Sequence, residues 1–433
     1  MSTQIVLPVE RAAVSAYSKA NLEPDWMTEL RLGGLELAGK LGLPKLEKTK
    51  TDHWNLESYG DLRQSQATVD PKALPEAVAQ LIGDSLSENA LMIRNTDLAY
   101  TQLSEEAAAK GVLFMDLRQA LKEHGELVRK YFMQAIKQDE NRITALHSAL
   151  WSGGVFLYVP KNVEIEVPFQ ALVLASEAGV ACSPHVLIVA EAGSSVTYVE
   201  NWVANDDKAD LVVNGVVEVF AHEGAQVRVA SLHHLGKAMT DWIYRRAILD
   251  KDANVDWIVG ELTGGNVASE TLSILKGNGS ASNLKVICIG SGEQKMNLTT
   301  RAVHIGLSTT SDMITRAVMR DEATAIINGI TKIEKGATGA NGEQTEKVMM
   351  LSSKARGDAN PILLIDEDDV KCGHAASVGQ VSEEQIYYMM SRGITREEAT
   401  RLIVNGFLAP VVSEVPLARV EEQLRRLVER KLA

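Results

Sequence analysis

A cysteine and a histidine two positions apart are the residues of this chain best placed to do chemistry. Cys372 and His374 lie in the segment DDVKCGHAASVGQV. In an extended strand, side chains two positions apart point to the same face, about 6 to 7 Å apart along the backbone. A thiolate and an imidazole on one face suit iron or a transient sulfur species. The alternative is a plain strand end in which neither side chain has a chemical role.

Other polar positions favour structural roles. His185 and His304 are isolated, and His233 and His234 have no further ligand at close spacing, so we expect hydrogen-bonded histidines rather than metal ligands. The acidic run at residues 366–369 could hold a hard cation through its carboxylates. It lacks the regular spacing and the glycine of a calcium loop, however, which favours a solvated bend.

The cysteine content limits the kind of metal site that one chain could build. The three cysteines, Cys182, Cys288 and Cys372, lie far apart in the sequence, and no CxxC pair occurs. This pattern fits a reducing compartment and argues against a disulfide framework or a self-contained four-thiolate cluster site. A metal handled here would therefore need ligands from more than one place.

Charge and motifs disfavour several classes of function. The net charge of -13 would repel a phosphate backbone, and no Lys/Arg stripe offsets it, so we expect no nucleic-acid partner. The P-loop pattern GxxxxGK[ST] and the GxSxG and HExxH motifs are absent, so we expect no enzyme.

The N-terminal sequence MSTQIVLPVERAAV has no basic leader with an apolar core, and no apolar run approaches the roughly 18 residues that span a bilayer. We expect a cytoplasmic protein without a membrane partner.

Short runs of alternating apolar and polar residues begin after Trp151. A small-residue turn followed by such a strand recurs in EAGSSVTYVE, HEGAQVRVAS, DKDANVDWIV and GNGSASNLKV. The starts of these phrases are roughly 27 to 31 residues apart, a spacing typical of solenoids, in which each coil buries its apolar face against its neighbours. Strands without intervening helical patterns favour a β-helix. A large antiparallel sandwich is the alternative.

Helical patterns flank this region and define the predicted domains. Residues 1–150 are predicted to form an N-terminal helical domain, with helices at 24–43, 105–109 and within 117–150. Residues 151–370 form the predicted β-helix core, and residues 371–433 a C-terminal helical domain with the Cys/His strand before it. Ser382 and Thr395 are predicted helix N-caps. The last helix has an apolar face that binds a partner or docks on the β-helix, made of Leu417, Val420, Leu424, Leu427 and Val428.

Three segments resemble a known family. The C-terminal DDVKCGHAASVGQVSEEQIYYMMSRGI, followed by LIVNGFLAPVV, resembles the signature of the SufB/SufD family of iron-sulfur cluster assembly proteins. GANGEQTEKVMMLSSKARGDANPILLIDEDDV and EPDWMTELRLGGLELA are similar to the penultimate coils and the opening helix of that family, so the likeness covers nearly the whole chain. SufB-type members carry a cysteine in a segment like NFTxCDSMLIG and a later HEATTSKIGEDQ. The corresponding segments here, EKVMMLSSKARG and GHAASVGQVSEEQ, resemble SufD-type members instead.

The resemblance implies an architecture, partners and a site. It implies a mainly β fold, with a right-handed parallel β-helix between helical ends. It implies pairing with a SufB-type paralogue through the β-helix, binding of a SufC-type ATPase by the C-terminal helices, and a homodimer as an option for the isolated chain. His374 stands where the family has a histidine implicated in iron acquisition or nascent cluster formation at the SufB interface, and Cys372 takes the neighbouring cysteine position. The implied cargo is transient iron or an iron-sulfur cluster in the complex, with no cofactor held stably by the isolated chain.

One position departs from the family pattern, and two other functions stay open. The family often has serine where this chain has Gly373, and glycine loosens the backbone there. A carbohydrate-active β-helix enzyme related to pectin lyases would carry a secretion signal and clustered Asp, Lys and Arg on one β-helix face, and neither is visible. A purely structural homodimer would give Cys372 and His374 no role. We expect a non-catalytic scaffold that works with an ATPase.

Overall fold

Two long sheets of mostly parallel strands form the body of the protein. The computed structural model describes residues 7–63, 88–204, 209–413 and 418–432. From β4 onwards, successive strands alternate between the sheets, so each coil gives one strand to each sheet and pairs with the coils before and after it. The sheets enclose a continuous apolar interior. The predicted mainly β fold with a parallel β-helix and helical ends is confirmed, with about eight turns.

From β4 onwards, the odd-numbered strands lie in one sheet and the even-numbered strands in the other. One sheet contains, from end to end, β19 (Lys371–Gln380), β17 (Asn341–Met350), β15 (Thr310–Met319), β13 (Ala281–Gly290), β11 (Asn254–Glu261), β9 (Gln226–His234), β7 (Ser195–Ala204), β5 (Phe169–Ala175), β1 (Asn89–Arg94) and β2 (Asp97–Gln102). The other contains β18 (Arg356–Ile365), β16 (Thr324–Ile333), β14 (Lys295–His304), β12 (Asn266–Leu275), β10 (Thr240–Leu249), β8 (Val212–Ala221), β6 (His185–Ala190), β4 (Gly154–Val159) and β3 (Leu113–Asp116).

The recurring phrases of the sequence are the coils of this solenoid. They become β7, β9, β11 and β13, which are neighbours in one sheet. The turn before each strand contains a residue in the left-handed region, with φ of 68° at Gly193, 70° at Gly224, 54° at Asp252 and 69° at Gly279. Glycine and aspartate tolerate that region best. The small-residue turns therefore set the spacing of the repeat.

Helices cover the first coils. They are α1 (Arg11–Ala20), α2 (Asp25–Ala38), α3 (Glu105–Ala109), α4 (Leu117–Glu123), α5 (Gly125–Tyr131) and α6 (Arg142–Leu150). The region predicted as helical also contains β1, β2 and β3, which that prediction missed. β1 pairs in parallel with β5, and β3 pairs antiparallel with β4. These strands of four to six residues are too short for a reliable period, and partners distant in sequence stabilise them.

Three helices follow the last coil in the part of the chain that the structure describes. They are α7 (Glu383–Ser391), α8 (Arg396–Val412) and α9 (Ala418–Leu432). The predicted caps are confirmed, because the Ser382 and Thr395 hydroxyls accept hydrogen bonds from the third backbone N–H of α7 and α8. None of the helices in the described ranges combines the length and the apolar character needed to cross a membrane.

The apolar face of α9 docks on the solenoid. Leu424, Leu427 and Val428 are buried in one cluster with Ile258 and Ile287 of the β11 and β13 strands. Of the two options for this face, the structure therefore supports docking within the chain. Leu417 and the side chain of Val420, also predicted for this face, lie outside the described residues.

Candidate functional site

Cys372 and His374 lie on the terminal strand of the solenoid. The segment is a strand, as predicted, and Cys372 pairs in register with Gly342 and His374 with Gln344 of β17. Residues in register share a face in a parallel sheet. Since Gly342 and Gln344 are buried in the interior, both site residues point along the same interior face. Cys372 is partly buried and His374 is exposed, so the pair lines an open end of the solenoid.

The open end has two free edges. β19 pairs only with β17, and β18 only with β16, among the strands that the structure describes. A free edge presents unpaired backbone N–H and C=O groups, which another strand can complete. Exposed apolar side chains lie on the same coil, at Leu364, Ile365 and Val378. This end of the molecule is therefore suited to pairing with a second solenoid.

The surroundings of Cys372 disfavour its thiolate form. It packs against a small apolar cluster of Ile333, Ala337 and Ala340. Burial raises the pKa of Cys372, and the carboxylate of Glu343 raises it further. A metal that binds this thiol must displace its proton, which makes binding dependent on pH.

Gly373 makes room for an acidic side chain on the outward face of the terminal strand. A Cβ at Gly373 would lie 2.4 Å from a carboxylate oxygen of Glu343, on the neighbouring strand. Gly373 pairs in register with Glu343 and does not adopt positive φ. Gly373 therefore keeps a regular strand and leaves room for the Glu343 carboxylate on the outward face, opposite the face that carries Cys372 and His374.

A second acidic residue lies inside the solenoid, one coil below. Glu346 of β17 is 1% exposed, and it is not among the site residues predicted from the sequence. Its carboxylate fills the space beside Gly329 of β16, where a Cβ would lie 1.9 Å from Oε1. Burial raises the pKa of Glu346 to about 7, against the smaller effect of a backbone hydrogen bond. The NGEQTEKV alternation could have revealed it, because it places Glu346 on the same face as Gly342 and Gln344.

The Glu346 carboxyl is expected to make the protein less stable as pH rises. Its pKa is near 4.5 in the unfolded chain and about 7 in the folded one, so the folded state binds more protons in this interval. The free energy of unfolding should fall by about 2 kcal/mol between about pH 4.5 and pH 7. Denaturant unfolding across that range measures this. Glu346→Gln should flatten this part of the profile, and Glu343→Gln, at an exposed carboxylate, should not; equal profiles for all three proteins would contradict the assignment.

Three of the histidines expected to be structural, His185, His233 and His304, are hydrogen-bonded, as predicted. His185 lies 3.0 Å from His147 Nε2 and 3.1 Å from a carboxylate oxygen of Glu218, all fully buried. Glu218 also accepts three backbone N–H bonds at 2.6 to 2.9 Å from the segment after α5. Burial holds the pKa of His147 well below its usual value. This network ties the N-terminal helices to the solenoid.

A buried charged cluster crosses the interior in the middle of the solenoid. Arg245 of β10 donates to Glu261 Oε1 of β11 at 2.8 Å and lies 3.0 Å from His233 Nε2. His233 Nδ1 lies 2.8 Å from Asp241 Oδ2. Ligand atoms of His233, Asp241 and Glu261 are close enough to hold a metal ion. The guanidinium of Arg245 already bonds two of these three residues, so the cluster is a structural ion-pair network.

The acidic run at residues 366–369 forms a bend between β18 and β19, as predicted. Glu367 accepts hydrogen bonds from the backbone N–H groups of Gly336 at 2.8 Å and Asp368 at 3.0 Å. These bonds lower the pKa of Glu367. Its carboxylate thus stabilises the turn of the coil below.

The C-terminal helices expose an apolar surface away from the solenoid. Tyr387, Tyr388 and Met390 of α7 are 75%, 59% and 43% exposed, and Leu402 of α8 is 47% exposed. Tyr388 and Leu402 line a groove of about 530 Å³ between the two helices. We call these four residues the α7/α8 patch. Contiguous apolar groups on a surface mark interaction sites.

Comparison with known proteins gives the same family over most of the chain. Residues 173–407 match the family described as SUF system FeS cluster assembly, SufBD core domain, and residues 62–171 match the SufBD protein N-terminal region. The chain is similar to the iron-sulfur cluster assembly protein SufD of Bacillus subtilis, with 44% identity over 98% of each chain. It is also similar to an iron-sulfur cluster assembly SufBD family protein of Staphylococcus epidermidis, with 28% identity over 96% of this chain and 91% of the relative.

Proposed function

Because this chain belongs to the SufB/SufD family of iron-sulfur cluster assembly proteins, we propose that it is the SufD-type scaffold subunit of a SufB, SufC, SufD complex. In that complex it pairs with a SufB-type paralogue through its β-helix and offers Cys372 and His374 to iron or a nascent cluster. The observation that carries the proposal is the open end of the solenoid, where the two ligand side chains line an edge strand.

The open end favours a site that two chains share. One thiol and one imidazole supply two ligand groups of different softness. A partner strand on β19 would cover the partly exposed pair and could contribute further ligands. In the isolated chain the site stays open, so iron or a cluster is held only in passing. Edge pairing with a second copy of this chain would give the homodimer.

Coupling to ATP hydrolysis needs a second contact. We assign the binding of a SufC-type ATPase to the α7/α8 patch, because α9 buries its apolar face within the chain. Movement of the ATPase would then shift the equilibrium between two arrangements of the open end. Such a shift requires the two arrangements to make different contacts with the nucleotide-bound ATPase. This chain is the non-catalytic, cytoplasmic partner in the scheme. The names of the relatives favour it over the carbohydrate-active alternative.

The double variant Cys372→Ala, His374→Ala tests the proposal. In cells that depend on this pathway, the activity of an iron-sulfur enzyme should fall by about 10- to 100-fold, because the metal loses two ligands. The matched control is Lys371→Ala, Ser377→Ala, on the outward face of the same strand, which should leave the activity unchanged. Co-purification with the SufB-type and SufC-type partners should persist in both variants. Normal cluster supply in the Cys372, His374 variant would instead support the structural homodimer.

A further inference from the structure

A layer of polar atoms without partners lies inside the solenoid, one coil below the open end. Oε2 of Glu346 makes no hydrogen bond to any residue that the structure describes. Within the same described part of the chain, Gln344 Nε2, Thr315 Oγ1 and Thr300 Oγ1 also have no partner. All four side chains are at most 2% exposed. Buried polar atoms of this kind are costly unless a water or an ion satisfies them.

These side chains lie in one layer of the interior. A Cβ at Gly329 would lie 1.9 Å from Glu346 Oε1 and 3.2 Å from Gln344 Oε1, so both side chains reach across to the opposite sheet. Thr315 is the register neighbour of Glu346, and Thr300 is the register neighbour of Gly329. One carboxylate, one amide and two hydroxyl groups thus surround the same part of the interior.

We propose that Glu346, together with Thr315 and Thr300, forms an interior binding site for a divalent metal ion. Carboxylate and hydroxyl oxygens are ligands that hard divalent ions prefer. The Gln344 oxygen already accepts a hydrogen bond from Thr331 at 3.1 Å, so Gln344 lines the site without binding the ion. The free oxygen of a fully buried carboxylate supplies the charge that such an ion needs. Burial raises the pKa of Glu346 to about 7, so the ion competes with a proton for this carboxylate.

The site lies within reach of the open end. Glu346 pairs in register with Ala376, two residues beyond His374 on the terminal strand. Strand spacings place the α-carbons of His374 and Glu346 about 8 Å apart. Above the site, the terminal coil carries the small side chains of Ala376 and Pro361, which are the register neighbours of Glu346 and Gly329. An ion captured by the Cys372 and His374 pair can therefore pass to an oxygen-lined site below it.

The identity of the ion as iron rests on the proposed function, but the site itself does not. Mn²⁺ is a suitable probe, because it prefers oxygen ligands and the electron paramagnetic resonance signal of the free ion reports binding. The full-length chain is titrated with Mn²⁺ at about pH 8, where the Glu346 carboxyl is mostly ionised. Wild-type protein should bind one ion per chain, with a matching rise in Tm.

Glu346→Gln keeps the shape of the side chain and should weaken Mn²⁺ binding by about 10- to 100-fold. The matched control is Glu343→Gln, a carboxylate on the outward face of the same strand, which should bind as wild type does. The Tm of each variant without metal checks its fold. A wild-type chain that binds no Mn²⁺, or binding unchanged by Glu346→Gln, would overturn the proposal. So would equal weakening by both substitutions, since that places the ion outside the solenoid.

The Cys372→Ala, His374→Ala variant separates this inference from the proposed function. It should retain Mn²⁺ binding and lose cluster supply. Mn²⁺ binding that persists while cluster supply is normal would sink the proposed role of the pair and keep the interior site. If the variant loses cluster supply and the wild-type protein binds no Mn²⁺, the proposed role of the pair stands and the interior site is rejected.

Discussion

Replacing Arg245 with alanine is expected to lower the free energy of unfolding by about 3 to 5 kcal/mol. The guanidinium is fully buried and donates to Glu261 at 2.8 Å, Ser269 Oγ at 3.0 Å and Ser231 Oγ at 3.0 Å. Burial alone would raise the pKa of Glu261, but the charge of Arg245 and its other partners lower it. Without Arg245, this carboxylate would lie uncompensated between the two sheets. Denaturant and thermal unfolding midpoints, compared with wild type, measure the loss.

Two controls separate the buried pair from charge in general. The double variant Arg245→Met, Glu261→Met removes both charges and should lose much less stability than Arg245→Ala alone, since no unpaired ion remains. Arg228→Ala breaks an exposed pair with Asp256 at 3.7 Å and should change the free energy of unfolding by less than about 1 kcal/mol. A single variant as stable as wild type would contradict the view that Arg245 holds the sheets together.

Charging the α7/α8 patch is expected to abolish capture of the ATPase subunit. Aromatic and apolar side chains at the centre of an interface each contribute about 2 kcal/mol or more when they are binding hot spots. Tyr388→Glu with Leu402→Glu should therefore weaken binding of a SufC-type ATPase by at least about 100-fold, with no loss of fold, because both side chains are exposed. Isothermal titration calorimetry with the purified ATPase measures the affinity.

The control must place the same charges on apolar groups elsewhere. Leu22 and Leu307 are 78% and 46% exposed and lie outside the C-terminal helices. Leu22→Glu with Leu307→Glu should bind the ATPase as wild type does. Equal affinity for wild type and the patch variant would exclude this surface as the ATPase contact. Deletion of residues 382–433 is a poor substitute, because it would also uncover the apolar strands beneath α8 and α9.

The fold class followed from the sequence because a solenoid is built from local repeats. Each coil begins with a small-residue turn, as at Gly193 and Gly224, and continues into an alternating strand. The sequence pattern of one coil therefore predicts the structure of the next. The caps at Ser382 and Thr395 were equally predictable, because a cap bonds backbone groups only three residues away. The placement of Cys372 and His374 on one face needed only the period of a strand. Their role as ligands, and the predicted domain boundaries, stay predictions.

The tertiary structure decided what depends on contacts distant in sequence. Only the assembled sheets show that β1 and β3 complete the first coil, that Leu424 of α9 faces β11, and that Arg245 reaches Glu261 across the interior. The alternating sequence pattern predicts which side chains share a face of a strand. It does not predict which face points into the solenoid, because helices bury the outer face of many coils as well. The buried Glu346 is the clearest case. Its strand and its face were readable, whereas the space opened by Gly329, on the opposite sheet, was not.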